Sequence, residues 1–372
     1  MIYLDHAATT PPYDTVYPYM TRVAAEAFGN PSSRHAAGTA ALKLLRQSRQ
    51  TVAALLGVQA QEILFTSGGT ESNNTALFSA RNSTRRHIVI AATEHPSVLR
   101  AAERLERQGF SVTRVMPDTQ GRILPQAVAQ VLRRDTALLS VHAVNNETGV
   151  IQDIAALAEL AHGVGALYHC DAVQSFGHVD LPLSCADLVS LSGHKFGGPR
   201  GVGVLVVKDC VSFSPLLSGG HQELSRRAGT ENLPGIAGFA LAAERACEEL
   251  PAEAIRQTAL AADFLDRLRR FVPDLVLHSD GVPHTPGILS LRFPGAVAEE
   301  MQVRLNEVGI CVGVGAACSA ADHAPSHVLT AMGLTAKETG ETLRISLGHT
   351  TTAEEIEDAA KAIATIYKLG HT

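Results

Sequence analysis

Short apolar runs of β type alternate with helical stretches through the first half of the chain, and this alternation constrains the fold most. The runs that predict strands are 62–65, 87–91, 137–144, 166–169 and 188–191. Stretches with apolar residues at helical spacing separate them. Strands that alternate with helices form βαβ units, because parallel strands need long crossover connections. We therefore predict an α/β fold on a large, mainly parallel sheet, with 203–207 as an antiparallel return strand.

A cluster of polar residues follows each of these runs. The clusters are TSGGTES (66–72), ATEHPS (92–97), NNETGV (145–150), CDAVQS (170–175) and SGHK (192–195). In an open α/β sheet, ligands bind outside the carboxyl ends of the strands. We therefore expect the clusters to line one ligand site.

The second part of the chain has a different pattern. A helical stretch runs from 236 to Pro251, a second helix is predicted over 252–271, and strands are predicted at 288–293, 309–315 and 342–348. At 372 residues the chain is long for a single core. The division we predict is an N-terminal arm (1–15), a large domain (16–250) and a small α+β domain (251–372).

Composition excludes several classes of function. The chain is 45% hydrophobic and 18% charged, which is typical of a globular protein. Its net charge of −6 provides no basic surface for nucleic acid, and we expect no direct contact with nucleic acid or a membrane. The six cysteines form no C-x-x-C pair, which argues against a zinc ribbon or a disulfide framework. We expect a cytoplasmic protein without a metal site.

Lys195 is a lysine on a glycine-rich turn that follows a buried strand. Lysines are normally found on solvated faces. Partial burial makes the neutral amine a nucleophile, which suits Schiff-base chemistry. Taken alone, this stretch is more typical of a solvated turn.

The cluster after the first strand has two interpretations. Its glycines and Thr70 provide backbone N–H groups at a helix start, which could hold a phosphate. Alternatively, Ser67 or Thr70 is an ordinary N-cap.

His95 and Asp171 also have two interpretations each. His95 is either a hydrogen-bonded turn residue or a ring that stacks on a planar cofactor and moves protons. Asp171 either caps a helix or pairs with the protonated nitrogen of a pyridoxal ring. In the second case Asn146 and Gln174 are neutral hydrogen-bonding groups around the same ring.

Cys318 lies in GAACSAADHAPSH, among small residues that indicate a loop and a reactive thiol. A metal site with His323 and His327 is the alternative, but its spacing is not a standard one. Arg344 interrupts the apolar strand TLRISLG, which suits a bidentate grip on a carboxylate or, alternatively, an edge-strand surface. The loop RRAGTEN with Thr230 is a weaker candidate for an anion contact.

Together these motifs resemble the pyridoxal-phosphate-dependent cysteine desulfurases of the iron–sulfur and nitrogen-fixation type, within the class V aminotransferases of fold type I. The motifs in question are YLDHAATTP, FGNPSSRH, FTSGGTESNN, TEHPSVL, NNETGVIQDI, CDAVQS, SGHKFGGPRGVG, RRAGTENLPG, ACSAADHAPSHVL and TLRISLG. They cover nearly the whole chain in the order of the family. The resemblance implies a seven-stranded type of sheet and pyridoxal 5'-phosphate as cofactor.

The resemblance also implies roles for individual residues. The catalytic residues would be Lys195, which forms the Schiff base, His95, which stacks on the ring, and Cys318, which forms the persulfide. The cofactor-binding residues would be Gly69, Thr70, His95, Asn146, Asp171, Gln174, Ser192, His194, Lys195 and Thr230. Thr230 would reach the phosphate of a neighbouring subunit, which implies a homodimer. Asn146 and Arg344 would bind the substrate carboxylate.

The activity implied is the conversion of L-cysteine to L-alanine, with a persulfide left on Cys318 for a sulfur-acceptor protein of iron–sulfur cluster assembly or thiolation. The attacking sulfur must be a thiolate, which requires either a base such as His95 or a Cys318 thiol that ionises readily. The alternatives are a selenocysteine lyase or aminotransferase of the same fold, and a catalytically silent scaffold-binding protein.

Overall fold

The computed structural model describes residues 1–315 and 325–370. Its strands are β1 (Ile2–Leu4), β2 (Ile63–Thr66), β3 (His87–Ala91), β4 (Ser111–Val115), β5 (Thr136–Ser140), β6 (Leu167–Asp171), β7 (Leu188–Ser192), β8 (Gly203–Val207), β9 (Val276–Leu277), β10 (Ile288–Arg292), β11 (Ile310–Val312) and β12 (Thr342–Ser346). Its helices are α1 (Val16–Glu26), α2 (Ala36–Leu56), α3 (Gly69–Ser79), α4 (Pro96–Glu106), α5 (Pro125–Val131), α6 (Ile154–Gly163), α7 (Gln222–Ser225), α8 (Leu233–Phe271), α9 (Ala298–Glu307), α10 (His327–Ala331), α11 (Ala336–Gly340) and α12 (Ala353–Leu369).

A seven-stranded sheet in the order β2-β8-β7-β6-β5-β3-β4 forms the centre of the molecule. β3 to β7 pair in parallel, whereas β8 runs antiparallel to both β7 and β2. The predicted α/β fold and the predicted return strand are therefore confirmed. Helices cover both faces of the sheet, and this is why β3, β5 and β7 are buried along their whole length.

A smaller sheet of order β12-β10-β9 lies in the C-terminal part and is antiparallel. It packs on a separate apolar core, to which α8, α9 and α12 contribute. β1 belongs to this part, because it pairs in parallel with β11 and buries Leu4 in the same core. The predicted small C-terminal α+β unit is thus present. The exact division of the chain after residues 15 and 250 stays a prediction.

Two differences from the sequence prediction concern the elements themselves. The sequence pattern missed β1 and β4, which are short and only partly buried, so that neither forms an apolar run. The two helices predicted on either side of Pro251 form the single helix α8. A proline inside a helix removes one backbone hydrogen bond, and here the packing of α8 on α1, α2 and α12 tolerates that loss.

Within the described ranges, no helix combines the length and the apolar character that a membrane span would need.

Candidate active site

A cavity of about 260 Å³ lies at the carboxyl ends of the central strands. The residues around it are Ala7, Ala8, Gly69, Thr70, Asn73, His95, His142, Val144, Asn146, Asp171, Val173, Gln174, Ser192, His194, Lys195 and Arg344. The polar clusters after β2, β3, β5, β6 and β7 thus come together at one place, because parallel strands end at the same edge of the sheet.

Lys195 ends the short turn Gly193–Lys195 that follows β7. Its Nζ donates hydrogen bonds to the carbonyl oxygens of Ala7 at 2.5 Å and Ala8 at 2.9 Å. The side chain is therefore half-buried against the N-terminal arm and is not a solvated turn lysine. The turn after Lys195 requires a glycine at 197, where φ is +85° and a Cβ would lie 2.6 Å from the Tyr13 ring.

The start of α3 forms one end of the cavity. Its N-cap is Gly68, and no side chain of the described residues caps it, so the alternative of Ser67 or Thr70 as the cap is wrong. Within that part of the chain, the N–H groups of the first turn have no side-chain acceptor, and they suit an anion. A Cβ on Gly69 would lie 2.8 Å from Cγ2 of Val173, so glycine keeps this end open.

His194 and Ser192 lie next to the start of α3, together with Arg200. His194 Nδ1 is 3.1 Å from Oγ1 of Thr9. Burial, followed by the nearby charges of Lys195 and Arg200, lowers the pKa of His194 to about 4. His194 is therefore a neutral hydrogen-bonding group at this end of the cavity, and Arg200 provides the positive charge.

Asp171 lies at the end of β6 and is 6% exposed. Its Oδ1 accepts a hydrogen bond from the N–H of Val173 at 3.0 Å, and its Oδ2 accepts one from Nδ2 of Asn73 at 2.6 Å. These two donors fix the orientation of the carboxylate at the wall of the cavity. Asp171 can therefore pair with a cationic ring nitrogen in the cavity.

His95 is the N-cap of α4, and its Nδ1 accepts a hydrogen bond from the N–H of Ser97 at 3.1 Å. The residue thus has the structural role that the sequence left as one alternative, and its ring also lines the cavity. Burial lowers the pKa of His95, while the charge of Asp171 raises it and that of Lys195 lowers it. The ring is therefore neutral near pH 7.

Arg344 projects from β12 and is 3% exposed, so it is not a surface arginine. Its Nη2 pairs with Oδ1 of Asp5 at 2.8 Å, and its Nη1 donates to the carbonyl of Asn146 at 3.1 Å. Nε is buried without a hydrogen bond to the described residues. On the opposite side, Nε2 of Gln174 donates to the carbonyl of Ala7 at 2.8 Å.

One of the described predicted residues, Thr230, does not line this cavity. Thr230 is exposed and lines a different hollow with Arg227, whose guanidinium pairs with Glu71 at 3.0 Å. Cys318 lies outside the described residues, as does His323. His327 Nε2 donates to the carbonyl of Glu94 at 2.9 Å. Within residues 1–315 and 325–370, no cluster of three or more His, Cys, Asp or Glu could hold a metal.

The sequence analysis did not single out Asn73, Ser97 or Asp5, although all three contact site residues. One signal was available for Asn73, which is four residues after Gly69 and therefore on the same face of α3. Asp5 and Ser97 had no comparable signal, since their partners come from distant parts of the chain.

These residues fit pyridoxal phosphate. The uncapped start of α3 suits a phosphate, the buried Asp171 carboxylate suits a protonated pyridine nitrogen, and Lys195 provides an amine from the same cavity wall.

Comparison with known proteins agrees with this site. The aminotransferase class-V family matches residues 2–358. A relative from Bacillus subtilis (strain 168), described as "Putative cysteine desulfurase IscS 1", is 42% identical over 373 residues, which is 99% of this chain and 98% of its own length.

Solved structures show the same likeness. One, described as "NIFS-LIKE PROTEIN", has a TM-score of 0.92 and 34% identity over 99% of both chains. Another, "SspA in complex with cysteine", has a TM-score of 0.83 and 34% identity over 95% of this chain and 100% of its own. The chain therefore belongs to the aminotransferase class-V family and, within it, to the pyridoxal-phosphate-dependent cysteine desulfurases.

Proposed function

We propose that this protein converts L-cysteine to L-alanine and keeps the sulfur as a persulfide on Cys318 for transfer to an acceptor protein. The observation that supports this most is the presence of Lys195, Asp171 and Arg344 around one cavity. An amine, a carboxylate for a cationic ring and a guanidinium for a carboxylate are the groups that this chemistry needs.

Each group has a separate task. Lys195 would hold the cofactor through its amine, and the same amine would take the proton from the α-carbon of cysteine. Asp171 would pair with the protonated pyridine nitrogen, and Asn146 and Gln174 would be hydrogen-bonding groups for the ring. Gly69, Thr70, Ser192 and His194 would bind the phosphate. When bound, the cofactor withdraws electrons from the α-carbon of the substrate.

Arg344 binds the substrate carboxylate together with Asn146. Nη2 of Arg344 pairs with Asp5, so the guanidinium enters the cavity in a fixed orientation. Its buried Nε has no hydrogen bond to the described residues and can donate to a ligand. A fixed, bidentate donor orients the α-carbon toward Lys195 at little entropic cost.

The sulfur transfer balances without an added oxidant. The C–S bond of cysteine breaks and an S–S bond forms at Cys318, which changes the enzyme thiol to a persulfide. The carbon that loses sulfur gains a proton, and alanine leaves. The persulfide then passes to a sulfur-acceptor protein, and a reducing compartment such as the cytoplasm would keep the Cys318 thiol available between turnovers.

Thr230 serves the phosphate site of a second copy of the chain in this proposal. Its exposure and its place in a hollow separate from the cavity of its own chain support that role. The functional unit would therefore be a homodimer with shared sites.

The test uses the purified full chain loaded with pyridoxal phosphate. We expect a visible absorbance band, sulfide release from L-cysteine with a reductant, and one added sulfur on the Cys318 peptide by mass spectrometry. A colourless protein that takes up no pyridoxal phosphate would overturn the proposal. Undiminished desulfuration in Cys318→Ala would instead indicate a direct lyase.

A further inference from the structure

A chain of hydrogen bonds joins Asp171 to His95 through two residues that have no role in the proposal above. Nδ2 of Asn73 donates to Oδ2 of Asp171 at 2.6 Å and to Oγ of Ser97 at 2.9 Å. Oγ of Ser97 is 2.7 Å from Nδ1 of His95. Asn73 is 1% exposed and Ser97 8% exposed, so the chain of bonds is shielded from water.

The direction of each bond follows from the groups involved. An amide nitrogen only donates, so Ser97 Oγ accepts from Asn73 and its own hydrogen is directed to His95 Nδ1. The backbone N–H of Ser97 also donates to Nδ1. Nδ1 therefore keeps its lone pair, and the neutral ring carries its hydrogen on Nε2.

The orientation of Asn73 is also determined by its partners. A reversed amide would place the Asn73 oxygen 2.6 Å from an oxygen of the Asp171 carboxylate, and two acceptors repel each other at that distance. Asn73 Oδ1 itself has no hydrogen-bond partner in the described part of the chain. The Asp171 carboxylate thus fixes the orientation of Asn73, and Asn73 fixes the hydroxyl of Ser97.

Other charged groups also act on His95. Asp171, on β6, favours a protonated ring, whereas Lys195 after β7 and His327 on α10 disfavour it. Burial is the largest effect and lowers the pKa of His95. The two donors on Nδ1 act in the same direction as burial, because an Nδ1–H would face both of them.

We propose that Asn73 and Ser97 are positioning residues that hold His95 in the tautomer with its hydrogen on Nε2, so that the ring meets its ligands as a hydrogen-bond donor. This inference rests on the proposed function for the identity of those ligands. In this tautomer Nε2 cannot accept the hydrogen of the substrate thiol. The Cys318 thiolate that attacks sulfur must then form without His95 as its base.

The first test is nuclear magnetic resonance of the full-length apoenzyme labelled with ¹⁵N-histidine. The chain has 16 histidines, so His95→Gln identifies the ring signals of His95. We expect a protonated Nε2 and an unprotonated Nδ1 in the wild-type protein at pH 7.5. A protonated Nδ1 would overturn the proposal, and this measurement needs no variant of the network to fold.

The second test changes the network. Ser97→Ala removes one donor from Nδ1, and Asn73→Ala frees the Ser97 hydroxyl to accept from Nδ1. Each variant should raise the pKa of His95 by about one unit, because the loss of one hydrogen bond to one form of the ring shifts its pKa by about that much. Ser97→Thr keeps the hydroxyl and should restore the wild-type value. Ser79→Ala is the control, because its hydroxyl donates to the Ala76 carbonyl within α3.

The pH dependence of kcat, measured on the enzyme loaded with pyridoxal phosphate, gives an independent test. In Ser97→Ala and Asn73→Ala, the pH below which kcat declines should move upward by the same amount. Unchanged tautomer and pKa in both folded variants would contradict the inference. Expected resonance results with no cysteine desulfuration in the wild type would contradict the proposed function alone.

Discussion

Lys195 is oriented by the backbone of the N-terminal arm. Its Nζ donates hydrogen bonds to the carbonyls of Ala7 and Ala8, and these bonds place the amine at the wall of the cavity. An amine in that position suits covalent attachment of a carbonyl compound.

Lys195→Ala should therefore abolish the visible absorbance of the lysine-bound cofactor and all turnover. The fold should persist, because the change removes two hydrogen bonds of about 1 kcal/mol each. Absorbance spectra, activity and thermal melting test this together. Lys208→Ala, on the turn after β8, is the matched control and should keep both cofactor and activity. Turnover in Lys195→Ala would show that another amine does the work.

Arg344→Lys should raise KM for cysteine by about 10- to 100-fold with a smaller effect on kcat, because lysine cannot bind a carboxylate in a bidentate manner. Steady-state kinetics measure this. Arg292→Lys is the control: Arg292 lies on the neighbouring strand β10 and pairs with Glu341 at 2.7 Å, outside the cavity. An unchanged KM in Arg344→Lys would remove Arg344 from the substrate site.

Among individual residues, the sequence identifies those that directly follow a predicted strand. Lys195 and Asp171 could be located because each follows an apolar run. The pairing of Asn73 with Ser97 could not be predicted, because only the packing of α3 against α4 brings the two residues together.

Among the elements, α8 is notable because it spans 39 residues with a proline inside. Pro251 has no N–H for the carbonyl of Cys247, one turn earlier. The sequence pattern predicts two helices here, because a proline disfavours a continuous helix. Tertiary contacts override this local preference.

Pro251→Ala should raise the free energy of unfolding by about 1–3 kcal/mol, because it restores the missing donor and replaces the poorest helix former with the best. Pro251→Gly restores the donor without the propensity and should gain about 1 kcal/mol less. Urea unfolding measures both. A lower stability of the alanine variant would mean that the proline fits a bend that α8 needs.

The strands show the same limit. β3, β5 and β7 were predictable because burial on both faces demands continuous apolar sequence. β4 lies at the sheet edge with partly exposed residues, so its sequence SVTRV has no such run. An edge strand is stabilised by pairing with the adjacent strand, and a single sequence does not show which strand that is.

For the molecule as a whole, buried histidines should determine the response to mild acid. His169 is completely buried between the hydroxyls of Ser140 and Ser190, at 2.8 and 3.0 Å. Burial lowers its pKa to about 4, against about 6.5 in the unfolded chain. The unfolded state therefore gains a proton first as pH falls, and stability is lost below pH 6.5.

Between pH 7 and pH 5, His169 alone should reduce the free energy of unfolding by about 2 kcal/mol. His169→Gln should lose that part of the pH dependence, whatever its stability at pH 7. Urea unfolding of the apoenzyme at both pH values measures the difference. His221→Gln, at an exposed position, should keep the wild-type difference. If His169→Gln and the wild type had the same pH dependence, the His169 ring would already be protonated at pH 5 in the folded protein.

Subunit sharing of the site can be tested by mixing. Lys195→Ala and Thr230→Ala should each be impaired alone, the second through weaker binding of pyridoxal phosphate. Unfolding and refolding them together should produce mixed dimers with one intact site, and activity should exceed the sum of the separate variants. Activity equal to that sum would place Thr230 outside the neighbouring site.

The pairing of β1 with β11 has a consequence for the order of assembly. Ile2 pairs with Ile310, so the strand that leads into the Ala7 and Ala8 carbonyls has no partner until almost the whole chain has been synthesised. Contacts between such distant parts of a chain form late, after the loop between them has closed. The central sheet can therefore fold first, while the arm is held near Lys195 only by local bonds, such as those from Gln174 to Ala7 and from Thr10 to His194. The final placement of Lys195 toward the cofactor should thus form only when β1 pairs with β11.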